Sequence, residues 1–209
     1  MKILITAGPT YEHIDPVRFI GNYSTGKMGF ALAETCAKRG HEVILIAGPV
    51  QQQIALPNVK RIDVESAQEM YEAVMENYPT CDGAILCAAV ADFTPITTAN
   101  KKLKRGNDNL IIELKPTKDI AVSVGNIKKE KQFLVGFALE TNDEEANALK
   151  KMQRKKFDFI VLNSLNDKNA CFGYDTNKIT IIDANGKKNS FQLKPKKEVA
   201  QDIINHLEQ

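Results

Sequence analysis

The sequence predicts an α/β protein in which a doubly wound, mostly parallel sheet carries helices on both faces. Three observations support this fold class. Short apolar runs rich in β-branched residues alternate with stretches whose apolar residues recur every three or four positions. The run at 82–91 consists of small and apolar residues, as is typical of a strand buried on both faces. A length of 209 residues allows a sizeable core and indicates one domain spanning 1–209.

The predicted elements follow one another in strand–helix order. Ser66 and Glu69 predict a capping box at one helix start, Gly40 a helix C-cap, and Pro195 the start of the last helix. The predicted helices cover about 27–39, 66–78, 119–129, 142–156 and 195–207. The predicted strands cover 2–6, 41–47, 59–64, 82–91, 132–137 and 157–162. Their alternation with helices implies parallel pairing and a Rossmann-like sheet.

Two segments fall outside this alternation. Residues 178–182 and 189–193 flank Asn185-Gly186, the preferred pair for a type I′ turn. A C-terminal antiparallel β-hairpin is therefore predicted at about 178–193, apart from the α/β pattern. Residues 94–113 hold the basic cluster 101–105 and are strand-like only near 110–114. Such a cluster is ordinarily a solvated loop, but beside a phosphate site it predicts a mobile basic flap.

The loop from Gly8 to Gly29 is the predicted ligand site. It combines glycines, hydroxyls, an amide and cations, and it ends at a helix N-terminus, whose unpaired N–H groups and positive dipole end attract phosphate. This loop and residues 88–92 each follow a predicted strand. We therefore expect both at the carboxyl edge of the sheet, where α/β proteins bind ligands. A long glycine-punctuated turn without a ligand is the alternative interpretation.

Three common motifs fit this loop only in part. Residues 21–27 match a P-loop, but Met28 replaces the Ser or Thr that would contact magnesium. The dinucleotide pattern G-x-G-x-x-G should follow the first strand directly, whereas here it is displaced by about twenty residues. Tyr23 and Lys27 have the Tyr-x3-Lys spacing of short-chain dehydrogenases, but in a turn this spacing does not bring two side chains together. P-loop and dehydrogenase chemistry are thus disfavoured.

The bulk composition argues against several function classes. Against 26 Asp and Glu residues, 28 Lys and Arg residues give a net charge of +2, too little for a dedicated nucleic-acid binder. The four cysteines form no CxxC pair, and Cys36 and Cys87 lie in apolar segments, as free thiols of a reducing cytosol do. No apolar run approaches the length of about eighteen residues that a membrane span requires. We expect a cytoplasmic protein without nucleic-acid or membrane partners.

The loop as a whole resembles the phosphopantothenate–cysteine ligase family. That family forms the C-terminal half of a bifunctional coenzyme A biosynthesis flavoprotein in many bacteria and is a separate chain elsewhere. Its pattern of Gly-Pro-Thr, Glu, Ile-Asp-Pro-Val-Arg, Asn and Ser-Thr-Gly-Lys-Met-Gly is matched at 8–10, 12, 14–18, 22 and 24–29. Further matches are Ala-Ala-Val-Ala-Asp at 88–92, a flap motif Lys-x-Lys-Arg at 102–105, Gly-Phe-Ala-x-Glu-Thr at 136–141, and lysines 151 and 155. The resemblance covers nearly the whole chain.

The resemblance implies a cytoplasmic ligase of coenzyme A biosynthesis that joins 4′-phosphopantothenate and L-cysteine. CTP would activate the substrate carboxylate as an acyl-cytidylate with release of pyrophosphate, and the cysteine amine would then displace CMP. Mg2+ would arrive with the triphosphate, and no protein side chain is assigned as a metal ligand. The resemblance also implies a homodimer, for which the protruding hairpin offers an exposed edge. It allows fusion to, or association with, a flavin-dependent decarboxylase.

The same resemblance implies the residue roles. The catalytic candidates are Arg18, Asn22 and Lys102. Candidates for the substrate phosphate or the intermediate are Gly8, Asn22, Ser24, Thr25, Gly26 and Ala89. Candidates for the nucleotide are Cys87, Ala88, Ala89, Asp92, Lys102, Lys118, Asp119, Ile120, Phe137, Lys151 and Lys155. The chain departs from the family at 116–120, where it has Pro-Thr-Lys-Asp-Ile in place of Lys-Thr-Pro-Asp-Ile.

Two other function classes stay open at this point. One is a Rossmann-type oxidoreductase that uses NAD(P), against which the displaced glycine pattern argues. The other is a nucleotide-binding module without catalysis, against which the flap lysines argue. Neither the residues nor the resemblance decides between CTP and ATP.

Overall fold

The computed structural model describes residues 1–106, 109–140, 144–164, 166–167, 169–170 and 172–209. The strands are β1 Lys2–Ala7, β2 Glu12–Asp15, β3 Arg18–Ile20, β4 Glu42–Ala47, β5 Val59–Asp63, β6 Gly83–Leu86, β7 Phe93–Pro95, β8 Leu114–Pro116, β9 Phe133–Glu140, β10 Phe159–Ser164, β11 Thr176–Asn177, β12 Thr180–Asp183, β13 Lys188–Ser190 and β14 Lys194–Pro195. The helices are α1 Lys27–Lys38, α2 Ala67–Asn77, α3 Ile120–Ile127, α4 Glu144–Lys155 and α5 Lys196–Leu207. No helix within these ranges is long and apolar enough to cross a membrane.

The central sheet has eight strands in the order β13-β12-β10-β9-β6-β1-β4-β5. The six strands from β10 to β5 are mutually parallel. Numbered along the chain, they stand in the order 3-2-1-4-5-6 of the Rossmann fold. The predicted fold class is therefore confirmed. The order reverses between β1 and β6, so a crevice opens beyond the carboxyl ends of these two strands.

Helices cover both faces of the sheet. Successive side chains of a strand point to opposite faces, and β1 shows this alternation: Ile3 and Ile5 lie in the core under α1 and α5, and Leu4 lies in the core under α2, α3 and α4. All three residues are fully buried. The two cores fix α1 and α5 on one side of the carboxyl edge and α3 and α4 on the other.

Two predicted helix caps are confirmed. The Ser66 hydroxyl accepts a hydrogen bond from the Glu69 N–H at 3.2 Å, and the Glu69 carboxylate accepts one from the Ser66 N–H at 3.1 Å. Gly40 follows α1 with a φ of +82°, in the left-handed region that favours glycine. The predicted start of the fourth helix at residue 142, the motif residue Thr141 and the fourth cysteine, Cys171, lie outside the described residues.

The predicted antiparallel C-terminal hairpin is present as β12 and β13, but its turn differs from the prediction. Strand β12 also pairs antiparallel with β10, so the hairpin extends the main sheet beyond its parallel strands. The turn is not type I′, because that turn needs two residues with positive φ and only Gly186 has one. Gly186 N–H donates to the Asp183 carbonyl at 2.9 Å, and Asp183 N–H donates to the Lys187 carbonyl at 3.1 Å. This is a three-residue loop with a type I turn and a bulge at glycine.

Three short ribbons, β2–β3, β7–β8 and β11–β14, accompany the sheet. The first lies within the 8–29 loop and was not predicted. The second closes the base of the flap, where only Leu114 of the predicted strand-like run 110–114 belongs to a strand. The predicted strand 82–91 was too long. It ends at Leu86, because the chain beyond it bonds to the Thr6 side chain and the Gly8 carbonyl.

Candidate functional site

A cavity of about 550 Å3 opens where the strand order reverses. Three segments supply much of its wall: residues 22 and 24–29 leading into α1, residues 86–92 after β6, and residues 117–121 at the start of α3. Both loops expected at the carboxyl edge thus meet in one cavity. The cavity spans the edge of the sheet, from the α1–α5 side to the α3–α4 side.

Most of the predicted site residues line this cavity. They are Asn22, Ser24, Thr25, Gly26, Cys87, Ala88, Ala89, Asp92, Lys118, Asp119, Ile120, Phe137, Lys151 and Lys155. Gly8, Arg18 and Lys102 do not line it. Residues outside the list of candidates also contribute to the wall, among them Thr6, Asn163, Phe172, Asn177 and Lys196, and so does Lys27 of the predicted 8–29 loop. For Asn163 a signal existed, since it closes a predicted strand at the carboxyl edge.

Two glycines allow the 8–29 loop to pack closely against Val50. Gly8 and Gly26 have φ of +84° and +76°, and Cβ atoms placed on them would lie 2.8 and 3.0 Å from the same Val50 methyl group. Gly26 is the N-cap of α1 and makes no side-chain cap. The positive end of the α1 dipole therefore faces the cavity without a capping side chain in front of it. Gly8 lies behind this wall, where its carbonyl accepts the Ala89 N–H at 2.8 Å.

The segment after β6 is held from behind by threonines. Ala88 N–H donates to the Thr6 hydroxyl at 3.2 Å, and Ala91 N–H donates to the Thr10 hydroxyl at 3.0 Å. Thr6 and Thr10 are buried. Because these N–H groups, and that of Ala89, bond within the protein, this stretch offers a ligand carbonyl oxygens more readily than N–H donors.

Cations line the α3–α4 side of the cavity. Lys118 lies over the Tyr71 ring, 4.6 Å from its centroid, and Lys151 and Lys155 project from α4. Asp119 caps α3 through the Val122 N–H at 3.1 Å, and it pairs with Lys155 at 3.1 Å and with Arg154 at 3.2 Å. Among the described residues on this side of the cavity, the Asp119 carboxylate thus contacts two cations, Arg154 and Lys155, and Lys118 and Lys151 add two more.

The α1–α5 side holds two further lysines. Lys27 Nζ pairs with the Asp175 carboxylate at 2.5 Å, a hydrogen bond that lowers the pKa of Asp175. Lys196 is 8% exposed. Cys87 lies close to it, and burial raises the pKa of the Cys87 thiol to about 12. A thiol with that pKa is neutral near pH 7 and is poorly suited to nucleophilic catalysis.

The flap is anchored to the β2–β3 ribbon through Asp15. This carboxylate accepts hydrogen bonds from the N–H groups of Val17 and Arg18 at 2.9 Å, from the Arg18 guanidinium, and from Leu103 N–H at 3.0 Å. Burial by itself would raise the pKa of Asp15, but these hydrogen bonds outweigh it and lower the pKa to about 2. Arg18 also donates to the Leu103 carbonyl at 2.7 Å. Arg18 therefore acts in the anchor, and the adjacent Lys102 is exposed on the flap.

A family model described as the DNA/pantothenate metabolism flavoprotein C-terminal domain matches residues 1–209. The chain belongs to this family. A solved structure of the C-terminal domain of the coenzyme A biosynthesis bifunctional protein CoaBC is 42% identical, has a TM-score of 0.83, and is covered over 93% of its length by 99% of this chain. The resemblance seen in the sequence is confirmed.

Two curated relatives are much longer than this chain. The bifunctional protein CoaBC of Bacillus subtilis is 46% identical over 98% of the chain and 50% of its own length. A protein named cysteine/cysteine sulfinic acid decarboxylase, from an unknown prokaryotic organism, is 56% identical over 97% of the chain and 56% of its own length. The chain therefore spans about half of each relative, and a name given to the whole relative need not describe this half.

Proposed function

We propose that residues 1–209 act as one ligase domain that joins 4′-phosphopantothenate to L-cysteine with CTP, through an acyl-cytidylate, in coenzyme A biosynthesis. The observation that carries the proposal is a cavity with lysines on both sides of the sheet edge and the uncapped N-terminus of α1 in its wall. Such a site suits two anionic ligands bound together. Membership of the pantothenate metabolism family and the names of the CoaBC relatives support the same substrates.

The chemistry consists of two displacements. A carboxylate oxygen of phosphopantothenate attacks the α-phosphorus of CTP, and the bond to the β-phosphate oxygen breaks, so that pyrophosphate leaves. The cysteine amine then attacks the acyl carbon, the bond to the nucleotide oxygen breaks, and the amine loses a proton as CMP departs. Neither step needs a nucleophile from the protein, which agrees with the neutral thiol of Cys87. The protein contributes positioning and charge stabilisation.

The cations of the α3–α4 side are assigned to the nucleotide. Lys118, Lys151 and Lys155 can neutralise charge on the triphosphate as pyrophosphate develops. Carbonyl oxygens of residues 88–90 suit the amino group of cytosine, since the N–H groups of Ala88, Ala89 and Ala91 are already bonded. Uracil carries a carbonyl at that position, which would meet the same carbonyl oxygens. This favours CTP over UTP, and the comparison with ATP is left to experiment.

Mg2+ is expected to accompany the triphosphate. Asp92 and Asp119 are the carboxylates among the described residues of the cavity wall, and Asp119 is engaged by Arg154 and Lys155. In the part of the chain that the structure describes, no three His, Cys, Asp or Glu residues are grouped as a metal site. This wall fits an ion held mainly by phosphate oxygens and water.

Lys102 is assigned to nucleotide activation from the flap. The flap is docked on the β2–β3 ribbon through Asp15, and Ala99 N–H also donates to the Ile14 carbonyl at 3.0 Å. We propose that the basic segment around Lys102 reaches the triphosphate when the nucleotide binds, while Arg18 holds the base of the flap. Asn22, which lines the cavity, is assigned to the attack by the amine.

We also propose that the domain forms a homodimer. The hairpin edge that first suggested this is polar, since β13 consists of Lys188, Asn189 and Ser190. The β2–β3 and β7–β8 ribbons contact each other, and residues in and next to them expose several large apolar side chains, which favours burial against a second copy. These are Val17, Phe19, Phe93, Ile96 and Leu114. Sedimentation at micromolar concentration should show a species of twice 23.2 kDa, and a species of 23.2 kDa alone would contradict the proposal.

The decisive test is pyrophosphate release. The protein is mixed with phosphopantothenate, Mg2+ and CTP, ATP or UTP, with and without cysteine. We expect release with CTP, faster than with ATP at equal concentration, and phosphopantothenoylcysteine only when cysteine is present. Thermal stabilisation by NADPH without pyrophosphate release would favour an oxidoreductase. Carbon dioxide released from cysteine or cysteine sulfinate, without nucleotide, would favour the activity in the name of the 56% identical relative.

A further inference from the structure

The base of the flap is held at two points along β2. Ala99 N–H donates to the Ile14 carbonyl at 3.0 Å, and Leu103 N–H donates to the Asp15 carboxylate at 3.0 Å. Residues 100–102 bridge these two attachments. Three residues span at most about 10–11 Å when fully extended, so this bridge can move only a short way while both attachments hold.

Asp15 and Arg18 together hold both backbone groups of Leu103. The Arg18 guanidinium donates to the Leu103 carbonyl at 2.7 Å and to the Asp15 carboxylate at 2.9 Å. The Asp15 side chain is fully buried. Leu103 is half-buried, whereas the other residues of the run 101–106 are exposed. Undocking Leu103 would leave a buried carboxylate short of hydrogen-bond donors, so we expect this attachment to persist when a ligand binds.

This attachment fixes the backbone at Lys102. The Leu103 N–H belongs to the peptide group that starts at the Lys102 Cα atom, and a peptide group is planar. Lys102 itself is exposed and does not line the cavity. Movement of its ammonium group therefore comes mainly from rotation about its own side-chain bonds, from a backbone position that Asp15 sets. Less conformational freedom is then lost on binding than if the whole flap had to be ordered.

We propose that Asp15 is a positioning residue for the activation step, in which it holds the backbone from which Lys102 reaches the triphosphate of CTP. The proposal rests on the proposed ligase function. Asp15 does not line the cavity, so it acts through Lys102. When the carboxylate oxygen of phosphopantothenate attacks the α-phosphorus and pyrophosphate leaves, a cation must lie where negative charge develops. A misplacement of about 1 Å can cost about 100-fold in rate.

The first test measures the two chemical steps separately. Pyrophosphate release in single turnovers is followed with phosphopantothenate, CTP and Mg2+ but no cysteine. An amide has one acceptor oxygen where a carboxylate has two, so Asp15→Asn cannot keep every bond of the clamp, and we expect release about 10- to 100-fold slower than in wild type. Consumption of the acyl-cytidylate on addition of cysteine should be nearly unchanged. An equal loss in both steps is the result of a merely structural role and would overturn the inference.

A double-mutant cycle tests whether Asp15 acts through Lys102. In the Lys102→Gln background, Asp15→Asn should change the activation rate by less than about twofold, since the group that it positions is already gone. The matched control is Glu12→Gln in the same ribbon. Glu12 is 4% exposed, and its carboxylate accepts the Ala67 N–H of α2 at 2.8 Å. Its effect should be the same with and without Lys102, and equally additive effects of Asp15→Asn and Lys102→Gln would overturn the inference.

Protection of Lys102 from acetylation separates the inference from the function on which it rests. If wild type releases no pyrophosphate with any nucleotide, the proposed function fails. Wild type and Asp15→Asn are then treated with acetic anhydride, with and without CTP and Mg2+, and modification of Lys102 is measured by mass spectrometry relative to the exposed Lys60 on β5. Protection in wild type that is lost in Asp15→Asn supports the inference. Equal protection in both, or none in wild type, overturns it.

Leu103→Pro takes the place of Asp15→Asn if that variant does not fold. Proline lacks the N–H that Asp15 accepts, and Leu103 lies outside both apolar cores of the described residues. A slower activation step that disappears in the Lys102→Gln background supports the inference. An unchanged rate, or equal slowing in that background, overturns it.

Discussion

Replacing Gly29 with alanine should destabilise the domain by forcing α1 away from β1. A Cβ atom at Gly29 would lie 2.5 Å from the Ala7 Cβ and 3.0 Å from the Ala7 Cα. Ordinary carbon contacts lie near 3.5–4.0 Å, so α1 would have to move by about 1 Å. Neither alanine can relieve the contact by rotating its side chain. We therefore expect a cost in the upper part of the overpacking range, about 2–3 kcal/mol.

This cost can be read as a change in melting temperature. For a domain of this size each kcal/mol corresponds to about 2–4 °C, so Gly29→Ala should melt about 4–12 °C below wild type. The same displacement would move the N-terminus of α1 relative to the substrates, which can reduce turnover by about 100-fold. Circular dichroism melts and pyrophosphate release with CTP measure the two effects separately.

Gly40→Ala provides the matched control at the other end of the same helix. A Cβ there would meet no atom within 4 Å, and the only strain is the φ of +82°. Alanine in a left-handed conformation costs about 1–2 kcal/mol, partly offset by a less flexible unfolded chain. Its turnover should equal that of wild type. If Gly29→Ala melts within about 1 °C of wild type, or loses no more turnover than Gly40→Ala, the packing explanation is wrong.

Three further predictions concern the flap, the core and the two displacements. Because the pKa of Asp15 lies at about 2 in the folded protein and at 3.8 ordinarily, its ion stabilises the fold above pH 4 and this contribution is lost towards pH 2. As the pH is lowered from 5 to 2, the melting temperature should thus fall more steeply for wild type and for the exposed control Asp63→Asn than for Asp15→Asn. Tyr78→Phe should raise the free energy of unfolding by up to about 1 kcal/mol, because the buried Tyr78 hydroxyl has no hydrogen-bond partner among the described residues. Its melting temperature should therefore lie slightly above that of wild type. In quenched single turnovers analysed by mass spectrometry, Asn22→Asp should accumulate the acyl-cytidylate and Lys102→Gln should not, and the reverse pattern would contradict the assigned roles.

The sequence predicts the sheet well because its signals are local. The β-branched runs, the capping box at Ser66 and Gly40 each reflect the preferences of a few neighbouring residues, which the structure satisfies. The β2–β3 ribbon has no such signal. It mixes polar and apolar residues, and contacts with distant parts of the chain hold it, such as that between Asp15 and Leu103. The turn at Gly186 was assigned the wrong type because its type depends on a loop one residue longer than the dipeptide suggests.

The residues of the site fall into the same two groups, those that local signals predict and those that tertiary contacts place. Residues next to a strand end, such as Ala88 and Asn163, could be placed at the carboxyl edge because that edge follows from strand direction alone. The position of Lys196 depends on how α5 docks against α1, which is a tertiary contact between the two ends of the chain. Lys102 shows the opposite case. The resemblance assigned it to the site, but the contacts of the flap backbone decide where its side chain lies.

The ion pair between Lys27 and Asp175 joins residues 148 positions apart. During synthesis on the ribosome, the first part of the cavity wall is therefore made long before the second part leaves the exit tunnel. The central strand β1 can likewise be paired on both sides only after β6, roughly eighty residues later in the chain, has been synthesised. A nascent chain that lacks α5 cannot form the complete cavity. Ligand binding should therefore detect only chains that have been synthesised through α5. A ligand that contacts both sides of the sheet edge should stabilise the domain against global unfolding more than against local opening.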